Sequence, residues 1–170
     1  MLGFLFRRLT ADPDRGAELF AAATRIAREP HWFVKGEVPD TLDGRFAVLA
    51  TVTALVLVRL EGEGESGNDT SVALTERFIE VMESEHRELG LGDPTLGKTV
   101  RKLVGSLARR TELWRGAVSG NDVWDSATRE SLYKSEVSPD ALEHSARALR
   151  RLWAELQDLG LAEIGQGHLE

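Results

Sequence analysis

Apolar side chains recur every three or four residues in six segments of the chain, the spacing of one face of an α-helix. The first predicted helix starts at Asp12 and Pro13, residue types that suit a helix N-terminus, and continues to Arg28. Its apolar face is formed by Leu19, Phe20, Ala23 and Ile26. The following stretch, HWFVKGEVPDT, is predicted to be a linker that Trp32 and Phe33 anchor to the rest of the fold.

The segment from Thr41 to about Glu61 is predicted to be a central helix, because apolar residues occupy almost every face of it. Its residues at three- and four-residue steps are Leu42, Phe46, Leu49, Thr53, Val56 and Leu60. The β-branched run VTALVLV within the segment also fits a strand, which stays open as the alternative. The next stretch, GEGESGND, is predicted to be a polar loop.

A charged amphipathic helix is predicted from Ser71 to Leu89, and Gly90 and Gly92 are expected to end it. Its inward-facing residues are Val72, Phe78, Ile79, Met82 and Leu89. Thr95 is expected to cap the next helix, which continues for about six turns. The buried stripe of that helix consists of Leu96, Val100, Leu103, Leu107, Trp114 and Val118.

Two further helices complete the pattern. Asn121 is expected to cap the first of them, whose apolar positions are Val123, Trp124, Ala127 and Leu132. Ser138 and Pro139 open the last helix. Its buried stripe is formed by Leu142, Leu149, Leu152, Trp153, Leu156 and Leu159. The chain is therefore predicted to be an all-α, single-domain bundle of about six helices, without hairpin signals or an internal repeat.

Composition narrows the class of protein. The net charge of −7 argues against nonspecific binding to DNA or RNA, and the absence of Cys excludes disulfides and thiolate metal sites. Only four of the 21 basic residues are Lys, an Arg bias that suggests a GC-rich bacterial genome. The longest apolar stretch runs from Phe46 to Val58, too short to span a bilayer. We expect a cytoplasmic protein.

The stretch GDPTLGKT, from Gly92 to Thr99, matches the phosphate-binding P-loop pattern G-x-x-x-x-G-K-[ST]. A P-loop follows a buried strand, but the preceding segment RFIEVMESEHRELG is charged and helical in spacing. Pro94 also removes one of the backbone donors that such a loop uses. We therefore favour a helix–turn–helix junction, and a small P-loop nucleotide-binding protein remains the alternative.

Other candidate chemistry is sparse. The four His residues are scattered, and the Glu83/His86 pair occurs once, whereas di-iron bundles need a second copy and further Glu residues. No nucleophile motif surrounds any Ser. We expect no catalytic residue, no metal and no cofactor, and a generic helical interaction module remains a further alternative.

Three segments together resemble the ubiquinol–cytochrome c chaperone family, assembly factors of the respiratory cytochrome bc complex. VPDTLDGRFAVL (38–49) is similar to the family's P-D-T-x-D-G-R-F-E stretch. HRELGLGDPTLGKTVRKL (86–103) is similar to its L-R-E-x-G-V-G-D-x-x-V-G-K pattern, and RESLY (129–133) resembles its R-N-x-Y motif. On this resemblance residues 31–160 form the chaperone-like domain, with a helical N-terminal segment (1–30) and a C-terminal tail (161–170) in one compact unit.

The resemblance implies a non-catalytic chaperone that binds newly made cytochrome b at the inner face of the cytoplasmic membrane. Relatives in mitochondria act with a small partner protein at the ribosome, so these are candidate partners. Charged and aromatic residues of the matching stretches are candidates for client binding: Asp40, Asp43, Arg45, Phe46, Arg87, Glu88, Asp93 and Lys98. Candidate structural turns are Gly44, Gly90, Gly92 and Gly97. The alternative is that these residues only build the fold.

A separate hypothesis concerns the N-terminus, MLGFLFRRLT. Its apolar residues, followed by Arg7 and Arg8, suit peripheral contact with an anionic membrane surface. The alternative is that this segment packs on the bundle.

Overall fold

A computed structural model of the chain describes residues 16–120 and 123–170. This part of the chain folds into helices and contains no β-strand, which confirms the predicted all-α class. The helices are α1 (Ala17–Ala27), α2 (His31–Val34), α3 (Leu42–Glu61), α4 (Glu65–Glu88), α5 (Asp93–Val118), α6 (Trp124–Leu132), α7 (Pro139–Asp158) and α8 (Leu161–Gly165). The six predicted helices correspond to α1 and α3–α7, and the sequence pattern does not predict the short helices α2 and α8.

Helix α3 is the centre of the bundle and packs against α1, α4, α5, α6 and α7. Every side chain from Ala50 to Val58 is buried, as expected of a helix that is apolar on all faces. Thr41 caps its start, because Oγ1 of Thr41 accepts a hydrogen bond from the Gly44 N–H at 3.1 Å. The strand alternative for VTALVLV is wrong. A helix satisfies its backbone groups internally and can therefore be surrounded by other helices, whereas a strand needs a partner strand.

The polar stretch GEGESGND is mostly helix, so the loop prediction is wrong for its second half. Helix α4 begins at Glu65, and only the turn Gly62–Gly64 separates it from α3. Gly67 lies buried against the end of α3, where an added Cβ would be 2.2 Å from the Leu60 carbonyl oxygen. This glycine allows two helices to approach closely. In the sequence alone, a glycine required for helix packing cannot be told from a glycine in a loop.

The turn between α4 and α5 is close to the prediction. Helix α4 ends at Glu88, and Gly90 has a φ of +86°. Gly92 is the N-cap of α5, and Thr95 lies inside the helix, so the predicted Thr95 cap is wrong. The reason is Pro94, whose fixed φ and missing N–H suit the first helical turn and place the helix start before it.

Most predicted inward-facing residues of α4 and α5 are buried or half-buried, including Phe78, Met82 and Trp114. Leu89 is the exception, since 62% of it is exposed. Gly97 lies within α5, and a Cβ there would meet nothing closer than 3.8 Å. Neither a turn nor a close contact therefore requires glycine at this position, which corrects its assignment as a structural turn.

The remaining helices close the bundle. Ser138 caps α7, as predicted, by accepting a hydrogen bond on Oγ from the Ala141 N–H at 3.2 Å. Val123 is 65% exposed rather than packed, because it precedes the first turn of α6. After α7 the chain returns to α1, where Ile164 and Leu169 are buried. The predicted helix start at Asp12 and Pro13 and the predicted Asn121 cap lie outside the described residues.

The predicted linker contains the short helix α2, and Trp32 anchors it as expected. Trp32 is only 1% exposed, and its Nε1 donates a hydrogen bond to the Ile26 carbonyl at 2.8 Å. Phe33 is half-buried against the core. No helix among residues 16–120 and 123–170 is long and apolar enough to cross a membrane.

Candidate functional site

A groove of about 610 Å³ opens on the bundle surface between α1, the first turns of α3 and the last turns of α4. Helix α5 contributes Leu103 to its wall. The groove therefore lies where the stretches 38–49 and 86–103, which carry the family resemblance, meet in space. Residues of α1 complete it, although α1 precedes both stretches.

The floor of the groove is aromatic. Phe20 and Phe46 line it, and both contact the fully buried Phe78, with ring centroids 6.4 and 6.1 Å apart. Beneath Phe46, the guanidinium carbon of Arg110 lies 5.9 Å from the ring centroid. Edge and cation contacts of this kind fix the plane of an aromatic ring. Phe46 is thus a half-buried side chain held in a defined orientation at the groove.

Hydrogen bonds to the neighbouring helix α6 fix the position of Arg110. Its Nη2 donates to the Ser131 carbonyl at 2.7 Å, and burial lowers the pKa of the guanidinium below its usual value. Arg110 nevertheless stays charged at neutral pH, because an arginine pKa begins far above that range. The stretch RESLY therefore supports the groove from a distance, through the Ser131 carbonyl, rather than lining it.

Two large apolar side chains on the groove wall are mostly exposed. Leu42, in the first turn of α3, is 71% exposed, and Leu89, just after α4, is 62% exposed. Of the described residues, two other large apolar side chains are as exposed, Val34 and Val123, and neither lines the groove. Exposed apolar groups beside a groove are typical of a surface that binds another molecule.

Charged groups surround this apolar surface. Nε of Arg45 donates to Asp40 at 2.6 Å, and this bond holds the pKa of the Asp40 carboxyl below its usual range. Asp43 accepts from Lys134 at 2.6 Å. Glu85 and Glu88 also line the groove, and neither forms an ion pair within residues 16–120 and 123–170. The rim therefore offers two carboxylates that are free to contact a bound molecule.

A buried hydroxyl adds a polar group to the lining. Oγ1 of Thr24, on α1, has no hydrogen-bond partner in the described part of the chain. A buried hydroxyl without a partner is energetically unfavourable, and because this oxygen is almost fully enclosed we assign it no contact with a bound molecule.

The structure brings together five of the eight predicted client-binding residues. Asp43, Arg45, Phe46 and Glu88 line the groove, and Asp40 joins them through its bond to Arg45. The others do not line it: Arg87, Asp93 and Lys98. Arg87 pairs with Glu83 of its own helix at 2.7 Å.

Gly44 has a structural role at the edge of the groove. A Cβ on Gly44 would lie 1.8 Å from the Pro39 carbonyl oxygen, so only glycine allows the chain to double back before α3.

The motif reasoning misses most of the groove lining. It does not include Phe20, Thr24 and Arg28 of α1, because that helix carries no motif. It also misses Leu42 and Leu89, which helical periodicity assigns to the core. Their position is the one feature of the sequence that indicates exposure. Each lies at a helix end, where helical periodicity predicts burial least well.

The GDPTLGKT stretch does not have the geometry of a phosphate-binding loop. It follows a helix rather than a strand, and residues from Asp93 onward are already helical. The N–H of Leu96 donates to the Gly92 carbonyl at 2.8 Å, so this amide is used inside the helix. Lys98 is exposed in the second turn. These features argue against the P-loop alternative.

No group of three potential metal-ligating side chains lies together in residues 16–120 and 123–170. What the described chain offers is an apolar groove with an acidic and basic rim in an all-helical bundle. This combination is typical of a helical protein whose surface binds another molecule.

The comparisons with known proteins identify the family. The family model for ubiquinol-cytochrome C chaperones matches residues 35–170, which is most of the chain. The chain therefore belongs to the ubiquinol–cytochrome c chaperone family. Its fold is similar to that in the crystal structure of the Cbp3 homolog from Brucella abortus, with a TM-score of 0.77 and 25% sequence identity. The match covers 100% of this chain and 96% of that chain. No curated protein sequence matches the chain significantly.

Proposed function

We propose that this protein is a non-catalytic assembly chaperone of the cytochrome bc complex that binds newly made cytochrome b in the groove between α1, α3 and α4. The observation that carries the proposal is the exposure of Leu42 and Leu89 beside the aromatic floor at Phe46. Family membership supports the assembly role, and the location of the groove within the matched stretches supports the site.

The groove suits an apolar segment of a membrane protein before its assembly. Burying a leucine side chain contributes about 1.5–3 kcal/mol, so Leu42 and Leu89 together can supply a substantial part of a micromolar affinity. Such a client would otherwise expose apolar surface to water and aggregate. A groove that covers one segment reversibly would keep it available for the next assembly step.

The charged rim would set the orientation of the client. Glu85 and Glu88 line the groove from α4, Arg45 lines it from α3, and Arg28 lines it from the end of α1. Rim charges of this kind change association rates and specificity more than affinity. We infer that loops flanking the apolar segment contact these four side chains.

The localisation and other partners follow from the same proposal. A chaperone of cytochrome b works at the cytoplasmic face of the membrane, and the ribosome or a small partner protein would bring the two together. We propose no role for DNA, nucleotide or a cofactor.

The test is co-purification of cytochrome b with the full chain from membranes of a strain that makes it. The double variant Leu42→Asp/Leu89→Asp places charge on the groove wall at two exposed positions, so the fold should be unaffected. The matched control is Val34→Asp/Val123→Asp, which makes the same change at two exposed apolar positions outside the groove. We expect at least about a tenfold loss of captured cytochrome b for the groove variant and none for the control.

Two results would contradict the proposal. Equal capture by both variants would exclude the groove, and failure of the unmodified protein to capture cytochrome b would exclude the client. ATP or GTP binding with magnesium that depends on Lys98 would instead support the P-loop alternative.

A further inference from the structure

The outer face of α5 carries four exposed basic side chains: Lys98, Arg101, Lys102 and Arg109. At 100° per residue they fall within about 100° of one another around the helix, opposite the buried Leu96 and Leu107. They extend along the helix for about 16 Å. The result is a straight row of positive charge on one side of the bundle.

These four cations are unpaired within the part of the chain that the structure describes. None of them forms an ion pair with a carboxylate in the described part of the chain, whereas Arg45, Arg87 and Arg115 elsewhere on the surface all do. No Asp or Glu occurs between Pro94 and Thr111. Such a segregated basic face on a chain of net charge −7 indicates an anionic binding partner.

The shape of the face distinguishes between anionic partners. Its residues from Pro94 to Arg109 include no aromatic side chain, so it offers nothing on which the bases of single-stranded RNA would stack. Gly105 lies between Lys102 and Arg109 on the same face and adds no bulk. A straight, shallow row of Lys and Arg matches a planar array of headgroups, which needs only charge and close approach.

We propose that the outer face of α5 binds the headgroups of anionic phospholipids at a membrane surface. Leu103, on the inner side of the same helix, lines the groove. The groove therefore lies about one helix diameter, roughly 10 Å, from the bound headgroups. Lipid binding by α5 would place the groove beside the bilayer. That the groove then holds a client there rests on the proposed function.

Vesicle flotation with the full chain tests this proposal. The vesicles contain phosphatidylcholine alone or with about 30% phosphatidylglycerol, whose negative charge supplies the attraction. The variant Lys98→Gln/Lys102→Gln removes two charges from the face. The control Lys35→Gln/Arg151→Gln removes two exposed charges, one just after α2 and one from α7, so both variants have the same net charge.

We expect the unmodified chain and the control to float with anionic vesicles only. The face variant should partition about 25-fold more weakly, since each Lys or Arg at an anionic surface contributes about a fivefold gain. Salt at about 0.5 M should abolish flotation of all three. The proposal is wrong if the unmodified chain does not bind anionic vesicles, or if the face variant binds as well as the control. RNA binding that requires Lys98 and Lys102, without vesicle binding, would also overturn it.

The two proposals fail independently. Capture of cytochrome b in detergent should survive Lys98→Gln/Lys102→Gln, because neither residue lines the groove. Flotation should survive Leu42→Asp/Leu89→Asp, because the basic face is unchanged. Loss of both properties in either variant would mean that one surface serves both functions, and it would overturn the assignment of α5 to lipid.

Discussion

The two halves of α3 have opposite relations to the rest of the protein. From Ala50 to Val58 every residue is buried, and five helices pack around this helix. In its first turns, by contrast, Leu42 is exposed and Phe46 is half-buried at the floor of the groove. One half fixes the bundle, and the other presents side chains at its surface. The same apolar composition is therefore enclosed in the core at one end of the helix and presented at the surface at the other.

This difference predicts that identical truncations have unequal effects along α3. Leu55→Ala should lower the free energy of unfolding by about 2–5 kcal/mol, because Leu55 is fully buried and its removal leaves a cavity. Leu42→Ala should change it by no more than about 0.5 kcal/mol, since Leu42 is mostly exposed. Urea unfolding followed by circular dichroism measures both. Similar losses for the two variants would contradict the division of α3.

The next largest effect should come from Gly44, in the first turn of α3. In Gly44→Ala the new Cβ would lie 1.8 Å from the Pro39 carbonyl oxygen, so the backbone before α3 must move. Overpacking of this kind costs about 1–3 kcal/mol, which thermal or urea unfolding would detect. Gly97→Ala is the matched control, because Gly97 is helical with open space and alanine should stabilise it slightly. Destabilisation by Gly97→Ala would contradict the conclusion that glycine is sterically required at Gly44 but not at Gly97.

A smaller loss of stability with a larger loss of binding is expected at Phe46. Phe46→Ala removes a half-buried ring from Phe78 and Arg110, so we expect about 1–2 kcal/mol, less than for a fully buried phenylalanine. Captured cytochrome b should fall at least tenfold, since the ring forms the groove floor. Phe46→Leu should retain most of both properties. Normal capture by Phe46→Ala would exclude the aromatic floor as a client contact.

Helical periodicity predicts burial well in the middle of a helix, as in the buried half of α3, and poorly at a helix end, as in its exposed half. The rule that apolar residues face inward holds for Phe78 and Trp114, where other helices pack on both sides. It fails for Leu42 and Leu89, because no other helix in the described part of the chain covers these two helix ends. Burial at a helix end depends on the positions of other helices, which local sequence does not encode.

The candidate site has the same dependence on tertiary structure. The motifs correctly point to Asp43, Arg45, Phe46 and Glu88 as neighbours in space. The contribution of α1 could not be predicted, because Phe20 and Thr24 belong to an ordinary amphipathic helix whose partner is set by the fold. The loop prediction fails at Gly67 for a related reason, since glycine is required there by the close approach of two helices.

The weakest effect expected is a pH response in the segment that leads into the exposed half of α3. Nδ1 of His31, on α2, lies 3.0 Å from Nε2 of His144, on α7. Burial lowers the pKa of both histidines below 6.5, and the charges that face the pair are Glu29, Lys35, Arg147 and Arg151. The unfolded chain therefore binds protons more readily than the folded one, so stability should decrease as the pH falls below about 6.5.

Hydrogen exchange at about pH 7.5 and 5.5, corrected for the intrinsic rates, would locate this response. Protection should fall within residues 31–46 at the lower pH and remain high from Ala50 to Val58. His144→Gln keeps a hydrogen-bonding side chain without titration, so its pH dependence should be smaller than that of the unmodified chain. An equal loss of protection along all of α3 would mean that its two halves open together. The contrast between them would then describe burial only, and not local stability.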